Sequence, residues 1–423
     1  MKELIQKIVR SEYAKNILRV VTGTGIAQVI NFLFNIYIAK IYLPDDFGKF
    51  SLFMNLVSIA LIFSCFKLDV ELVKVEEKDL KKTLNDAFLI AIATSIFFGL
   101  IFGVMYYFNF LNLKQYNTWW LFFFPVMIFL LTSIQIQLMY LVRLKLFNFQ
   151  SKYKVAEALS VNVMYVVFAF MKDFGLLIAN VLSLIFDNIF LIIGLKKSGK
   201  LFLNWKFEKI ELARVLKVFK IQQFYMYQSL LEVFQVTLIP FFMSSQLEVI
   251  GYYALSTRVL QAPMRFLSLP LAQVFYSEIA ERKRNGISLL PLYKKTLWIS
   301  VMIGIPILLA IILFGPFLFE LIFGRNWITA GYFAQILVLW FVADFIKGPM
   351  IQVMYLFNQQ KLVSRIMFAS VFVMFFILLI SKIYSEISIS NVFIMISVSQ
   401  TFFLLLIIYS SYREVRKYDR VNN

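Results

Sequence analysis

Residues 196–220 read KKSGKLFLNWKFEKIELARVLKVFK. Eight of these 25 residues are lysine or arginine, and a long apolar run lies on either side, 174–195 before and 220–243 after. A helix needs roughly 20 apolar residues to cross about 30 Å of hydrocarbon, and both runs meet that length. Working outward gives twelve such spans, near 20–40, 50–66, 84–108, 119–142, 155–171, 174–195, 220–243, 249–276, 294–314, 328–346, 362–381 and 388–410. The segments between them alternate in charge. The odd ones (1–19, 67–82, 143–154, 196–220, 277–295, 347–365 and the tail from 411) hold 34 of the 42 Lys and Arg. The even ones hold six: Lys40, Lys49, Lys114, Lys172, Arg325 and Lys382. Arg258 and Arg265 lie inside an apolar span. Short basic loops are retained in the cytoplasm, so both termini are expected there. Charges dealt to one side of a membrane account for the net +18 and argue against a nucleic-acid partner.

A hydrophobic fraction of 61% and a mean hydropathy of +0.79 exclude an ordinary soluble domain. Ten-residue alternating segments do not occur, so a helical bundle is expected rather than a barrel. The fold class is an all-α polytopic membrane protein with about 12 transmembrane helices. Cys65 is the single cysteine and histidine is absent, so neither a disulfide framework nor a metal site is expected. The commonest general base is missing with it, and no catalytic residue is nominated. Leu4, Ile5, Ile8, Val9 and Ile17, interspersed with lysine, suggest a helix lying on the inner membrane surface. A cleavable signal is not expected.

The basic linker 196–219 divides the chain into two lobes of six spans, 1–195 and 220–423. Their first outer turns echo each other. Leu43-Pro44-Asp45-Asp46-Phe47-Gly48-Lys49-Phe50-Ser51-Leu52 and Gln246-Leu247-Glu248-Val249-Ile250-Gly251-Tyr252-Tyr253-Ala254-Leu255 share an acidic, apolar-Gly, aromatic and Leu pattern at an offset of 203. An even number of helices per half implies a pseudo-two-fold axis along the membrane normal.

Polar residues inside spans point away from lipid. Span one carries Thr24, Gln28, Asn31 and Asn35 on one face, span six Asn180, Ser183 and Asp187, span seven Gln228, Glu232 and Gln235, and span eight Arg258, Gln261 and Arg265. Four such faces can line a water-filled cavity. The amides of span one serve equally well as interhelical glue. Arg258 falls roughly 14 Å below the outer end of span eight, near the bilayer middle. An arginine there costs about 2.5–3.5 kcal/mol to insert. Two guanidiniums on one face suit an anion with phosphate oxygens, with ion pairs to Glu232 or Asp187 as the structural alternative. Glu232, Asp187 and Asp344 are the candidates for binding a coupling cation or proton. Asp344 has Lys347 at i+3 and Glu157 has Lys154 at i−3, so each also reads as a local pair. Trp119, Trp120 and Trp327 fit an outer aromatic belt.

Several stretches resemble one family. Pro44-Asp45-Asp46-Phe47-Gly48 resembles the outer turn of bacterial polysaccharide flippases. Gly251-Tyr252-Tyr253-Ala254-Leu255-Ser256-Thr257-Arg258-Val259-Leu260-Gln261-Ala262-Pro263 is similar to the same family, as are Gln273-Val274-Phe275-Tyr276, Phe314-Gly315-Pro316, Phe323-Gly324 with Trp327, and Ala330-Gly331. The family is the O-antigen or oligosaccharide-lipid flippases of the multidrug/oligosaccharidyl-lipid/polysaccharide exporter superfamily. The resemblance implies two lobes around a cavity that opens alternately to each side. It implies a substrate of oligosaccharide joined through pyrophosphate to a polyprenyl lipid, moved from the inner to the outer leaflet of the bacterial cytoplasmic membrane. Capsule or lipopolysaccharide repeat units are of this kind. Arg258 matches the family pattern, and Arg265 matches it less clearly. No cofactor is expected beyond coupling to an H+ or Na+ gradient. The expected partners are the lipid-linked oligosaccharide, membrane lipids, and a polymerase or glycosyltransferase acting beside it. The alternatives are an ion-coupled multidrug exporter of the same fold and an integral-membrane glycan ligase. Short outer loops and the lack of a paired-carboxylate cluster count against the ligase.

Overall fold

The computed structural model describes residues 12–73, 75–199, 210–384 and 386–422. The expected surface helix falls mostly on 1–11, outside these residues, as does linker segment 200–209. Among the described residues there is no strand and there are twelve long helices. They are α1 (Glu12–Ile41), α2 (Pro44–Phe63), α3 (Glu77–Tyr107), α4 (Trp119–Arg143), α5 (Phe147–Val167), α6 (Lys172–Lys197), α7 (Leu212–Phe242), α8 (Leu247–Arg284), α9 (Leu290–Phe323), α10 (Ile328–Leu356), α11 (Gln360–Ile383) and α12 (Ile389–Asn422). Each matches one expected span. Among the described residues, nine of them are long and apolar enough to cross a membrane; α5, α7 and α8 are not in that set. Those three carry Glu157, Glu232 and Arg258, three of the charged candidates named above.

The lipid-facing surface is explicit on α9. Met302, Ile305, Leu309, Leu313, Phe317 and Leu321 are all exposed and spaced three or four apart, which is one stripe of a helix. A soluble protein would cover such a stripe. The trace of α8 is about 57 Å long at 1.5 Å per residue, well beyond the hydrocarbon thickness. Its basic end therefore continues into water.

The chain packs as two compact units. One runs to Tyr42 and resumes at Lys49–Val233; the other is Leu43–Gly48 with Phe234–Asn423. The change of unit falls within α7 rather than in the segment 196–219. The start of α7 explains this, because it is tied to α3. Lys82 pairs with Glu211 at 2.7 Å, and Arg214 reaches Asp79 at 3.6 Å. Phe219 packs edge-on to Phe66.

In the first unit, α1 packs on α5, α5 on α6, α6 on α4 and α4 on α3. Arg143 at the end of α4 donates to the carbonyls of Leu72 and Val75 and pairs with Glu77, fixing the α2–α3 turn. Trp120 is 1% exposed, packed on Phe53, so it forms core rather than an aromatic belt. The same correction applies to Trp327, buried against Phe47 in the second unit. Only Trp119 of the three is exposed. Their apolar ring surface is stabilised more by protein packing than by the interface.

In the second unit, α10 is central and packs on α8, α9 and α12. More than half of its side chains are buried. The turn 43–48 starts α2 in a way its sequence dictates. Pro44 takes the first helical position, where its missing N–H costs nothing. The Leu43 N–H donates to the Asp46 carboxylate at 3.1 Å. Gly48 then crosses α8 so closely that a Cβ there would overlap the Leu247 carbonyl oxygen, and a Cβ on Gly251 would overlap that of Pro44. Residues 44 and 48 thus meet 247 and 251, their own counterparts at the offset of 203. The sequence echo is a reciprocal contact in space.

Candidate functional site

The first unit holds a layer of polar side chains between its helices. Asn162 of α5 donates to Asn31 of α1 at 2.6 Å. Gln137 of α4 donates to Asn188 of α6 at 2.8 Å, and Asn180 of α6 to the Tyr165 hydroxyl at 2.8 Å. These amides bond across helices, a glue function, and Asn31 is among them. Gln28 and Asn35 are half-buried on the same face of α1. Asp187 lies in this layer, 2% exposed, and accepts a hydrogen bond from Ser160 at 3.1 Å. Glu157, one turn before Ser160, takes Lys154 at 2.7 Å and the Tyr153 hydroxyl at 3.2 Å. On α7, Gln228 donates to Glu232 at 3.4 Å, and Glu232 is exposed.

The second unit holds the basic part. The Arg258 guanidinium sits over the Phe47 ring, 5.6 Å from its centroid. One turn along α8, Gln261 opens onto a cleft of about 140 Å³ between α8 and α10. Ser268, Phe341, Phe345, Asp344 and Lys347 complete the wall that matters here. Asp344 and Lys347 pair at 2.6 Å. The Arg265 side chain lies outside the described ones. Lys347 also borders a smaller cavity where Gln235 of α7 donates to Ser370 of α11 at 2.8 Å and to Gln400 of α12 at 3.3 Å.

Lys347 was assigned by sequence to the cytoplasmic segment 347–365. The helix instead continues to Leu356, so the lysine lies nine residues inside it. The physical reason is that Pro349, Met350, Ile351, Val353 and Met354 beyond it are buried, which prolongs α10. Ser160, Asn162, Ser370 and Gln400 were also missed as members of the polar layers. Ser370 stands alone in an apolar run, whereas Ser160 and Asn162 are two residues apart and Gln400 lies between Ser399 and Thr401, so each was visible only as a polar position within its span. Among the described residues no cluster of His, Cys, Asp or Glu could hold a metal.

The comparisons follow the fold. No curated protein matches the chain closely enough to count as a relative. Among solved structures, the lipid II flippase MurJ in an inward closed conformation superposes with a TM-score of 0.67 at 13% identity, covering 95% of this chain and 90% of that one. A MOP superfamily transporter from Pyrococcus furiosus, described by the reversed polarity of its binding pocket, gives 0.65 at 13% identity over 97% and 98%. A multidrug-resistance MATE transporter in its outward-facing form gives 0.59 at 13% identity over 98% of each chain. The chain shares the fold of these three structures. A family model described as polysaccharide biosynthesis protein matches residues 37–331, well over half of the chain. The chain is therefore a multi-pass membrane protein that belongs to the polysaccharide biosynthesis protein family.

Proposed function

We propose that this protein is a flippase. It carries a polyprenyl-pyrophosphate-linked oligosaccharide from the inner to the outer leaflet of the bacterial cytoplasmic membrane by alternating access. O-antigen, capsule and similar repeat units are the candidate cargoes. The observation that carries the reading is the position of Arg258 on α8, one turn from Gln261, which lines a cleft together with the Asp344–Lys347 pair. Guanidinium and amide donors at this spacing suit phosphate oxygens. Family membership supports a role in polysaccharide assembly. The fold shared with a lipid II flippase supports a lipid-linked cargo. Asp187, Glu232 and Asp344 are the candidate groups for coupling to an H+ or Na+ gradient. Asp187 has the best case because it is buried with a neutral donor as its hydrogen-bond partner. A polymerase or glycosyltransferase is the partner class such a role admits.

The test is complementation of a deletion strain, with surface glycan as the readout. Arg258→Ala should be inserted at normal level and fail to restore the glycan, since removing a charge from a span does not hinder insertion. Full restoration by a normally expressed variant would remove Arg258 from the substrate site. The MATE-like fold keeps an ion-coupled multidrug exporter as the second reading. That reading requires drug resistance to fall on deletion while surface glycan is unchanged.

A further inference from the structure

The cleft between α8 and α10 is charge-balanced in an unequal way. The Lys347 side chain is 20% exposed and that of Asp344 is 52% exposed. The cation is held inside the wall and its anion stands at the mouth. These two positions differ in what separation costs. Asp344 is the more exposed partner, and pairs with an exposed member contribute little stability. Separation costs the less exposed lysine more than it costs the carboxylate. The site therefore retains an anion, and the anion it holds is replaceable.

The surroundings specify what can replace it. Of the described residues bordering this cleft and the smaller cavity behind Lys347, Asp344 is the only carboxylate. The smaller cavity, about 10 Å³, has room for one water. Its amides are occupied by Ser370 and by each other. On the open side, the 140 Å³ of the cleft is roughly ten times the volume that holds a single water, ample for a phosphoryl group. Gln261 and Ser268 add neutral donors. Gln261 and Arg258 are three residues apart and share a helix face.

We propose that Lys347 is an anion-binding residue, that Asp344 is its exchangeable counter-ion, and that a phosphate of the transported lipid displaces Asp344 from it. This rests on the reading of the cargo as pyrophosphate-linked. The exchange breaks the Asp344–Lys347 ion pair and forms a lysine–phosphate one, with no covalent step.

Binding to the purified full-length chain in detergent, at low salt, tests it. The probes are farnesyl pyrophosphate and inorganic pyrophosphate. Lys347→Met should weaken farnesyl pyrophosphate binding by about tenfold or more, the loss expected for one charged hydrogen bond. Lys347→Arg should retain it. Asp344→Asn should tighten it several-fold, because the competing anion is gone. That gain is decisive, since misfolding does not raise affinity. Wild-type binding left unchanged by Lys347→Met, or unchanged or weakened by Asp344→Asn, would overturn the subsite alone. A wild type that binds neither probe would overturn the pyrophosphate cargo as well. Inorganic pyrophosphate bound as tightly as the prenyl form, with the same response to both variants, would keep the anion site but overturn its assignment to the lipid.

Discussion

The basic end of the second unit is closed by one carboxylate, and its removal has a calculable cost. Asp419, near the end of α12, is 7% exposed. It accepts hydrogen bonds from the Ser288 hydroxyl at 2.6 Å and from the N–H groups of Leu289 and Leu290 at 2.8 and 2.9 Å. These are the leading donors of α9, which no residue of α9 itself satisfies. Asp419 is thus a helix cap supplied from another helix. The Tyr418 hydroxyl bonds the Lys283 carbonyl, and the Lys283 ammonium bonds that of Leu356 and lies over Phe357. Asp419→Ala removes a cap, for about 0.5–2 kcal/mol. It also leaves the N–H of fully buried Leu289 without a partner, for about 1–3 kcal/mol more. The expected loss is about 2–4 kcal/mol when overlap between the two effects is allowed for. Asp419→Asn should lose less, since one carbonyl oxygen still accepts. Tyr418→Phe should lose about 1 kcal/mol. Thermal unfolding of the purified protein in one detergent should rank the variants Ala, Asn, Phe from least to most stable. An Asp419→Ala protein with wild-type melting would refute the trans-cap argument.

Three further outcomes are expected. Gly251→Leu or Gly48→Leu should force the reciprocal α2–α8 crossing apart. A cysteine pair at 48 and 251, by contrast, should not be a fair test, because a Cβ at either position already collides with backbone. Loss of surface glycan at normal protein level is the predicted readout for leucine, and normal export would show that the close approach is dispensable. Glu211 has its carboxyl held below the usual range by its hydrogen bond to Lys82 and by the Arg214 guanidinium. A lowered folded-state pKa means a stabilising contribution present above about pH 4.3 and lost as pH falls through the lower folded value. Glu211→Gln should therefore flatten the acid limb of a melting-temperature profile, and an unaltered limb would contradict this role. Asp187→Asn should leave the fold intact and abolish the response of export to an imposed H+ gradient; a retained response would eliminate Asp187 as the coupling group.

The helices were legible because their cause is local: apolar length, and a sign of charge on each loop. Their ends were not. The start of α9, for example, is capped by Asp419 of α12, a contact between residues about 130 apart in sequence. Lys347 was placed in a loop because charge next to an apolar run normally ends a span. Here the charge is neutralised by Asp344 within the helix. The polar stripes were visible by spacing, but spacing does not name a partner. Asn31 could line water or bind a neighbour, and its bond to Asn162 lies 131 residues away. The turn at Pro44 was read as an outer loop motif; its function as a cap and close crossing needed the opposing Leu247 and Gly251 backbone.

The central claim is translocation of a lipid-linked glycan. The most direct measurement is the distribution of lipid-pyrophosphate-linked glycan between the inner and outer leaflets in cells lacking this gene, with re-expression as the control. The account predicts accumulation in the inner leaflet that re-expression reverses and Arg258→Ala does not. An unchanged distribution, in a strain with no second flippase, would contradict it.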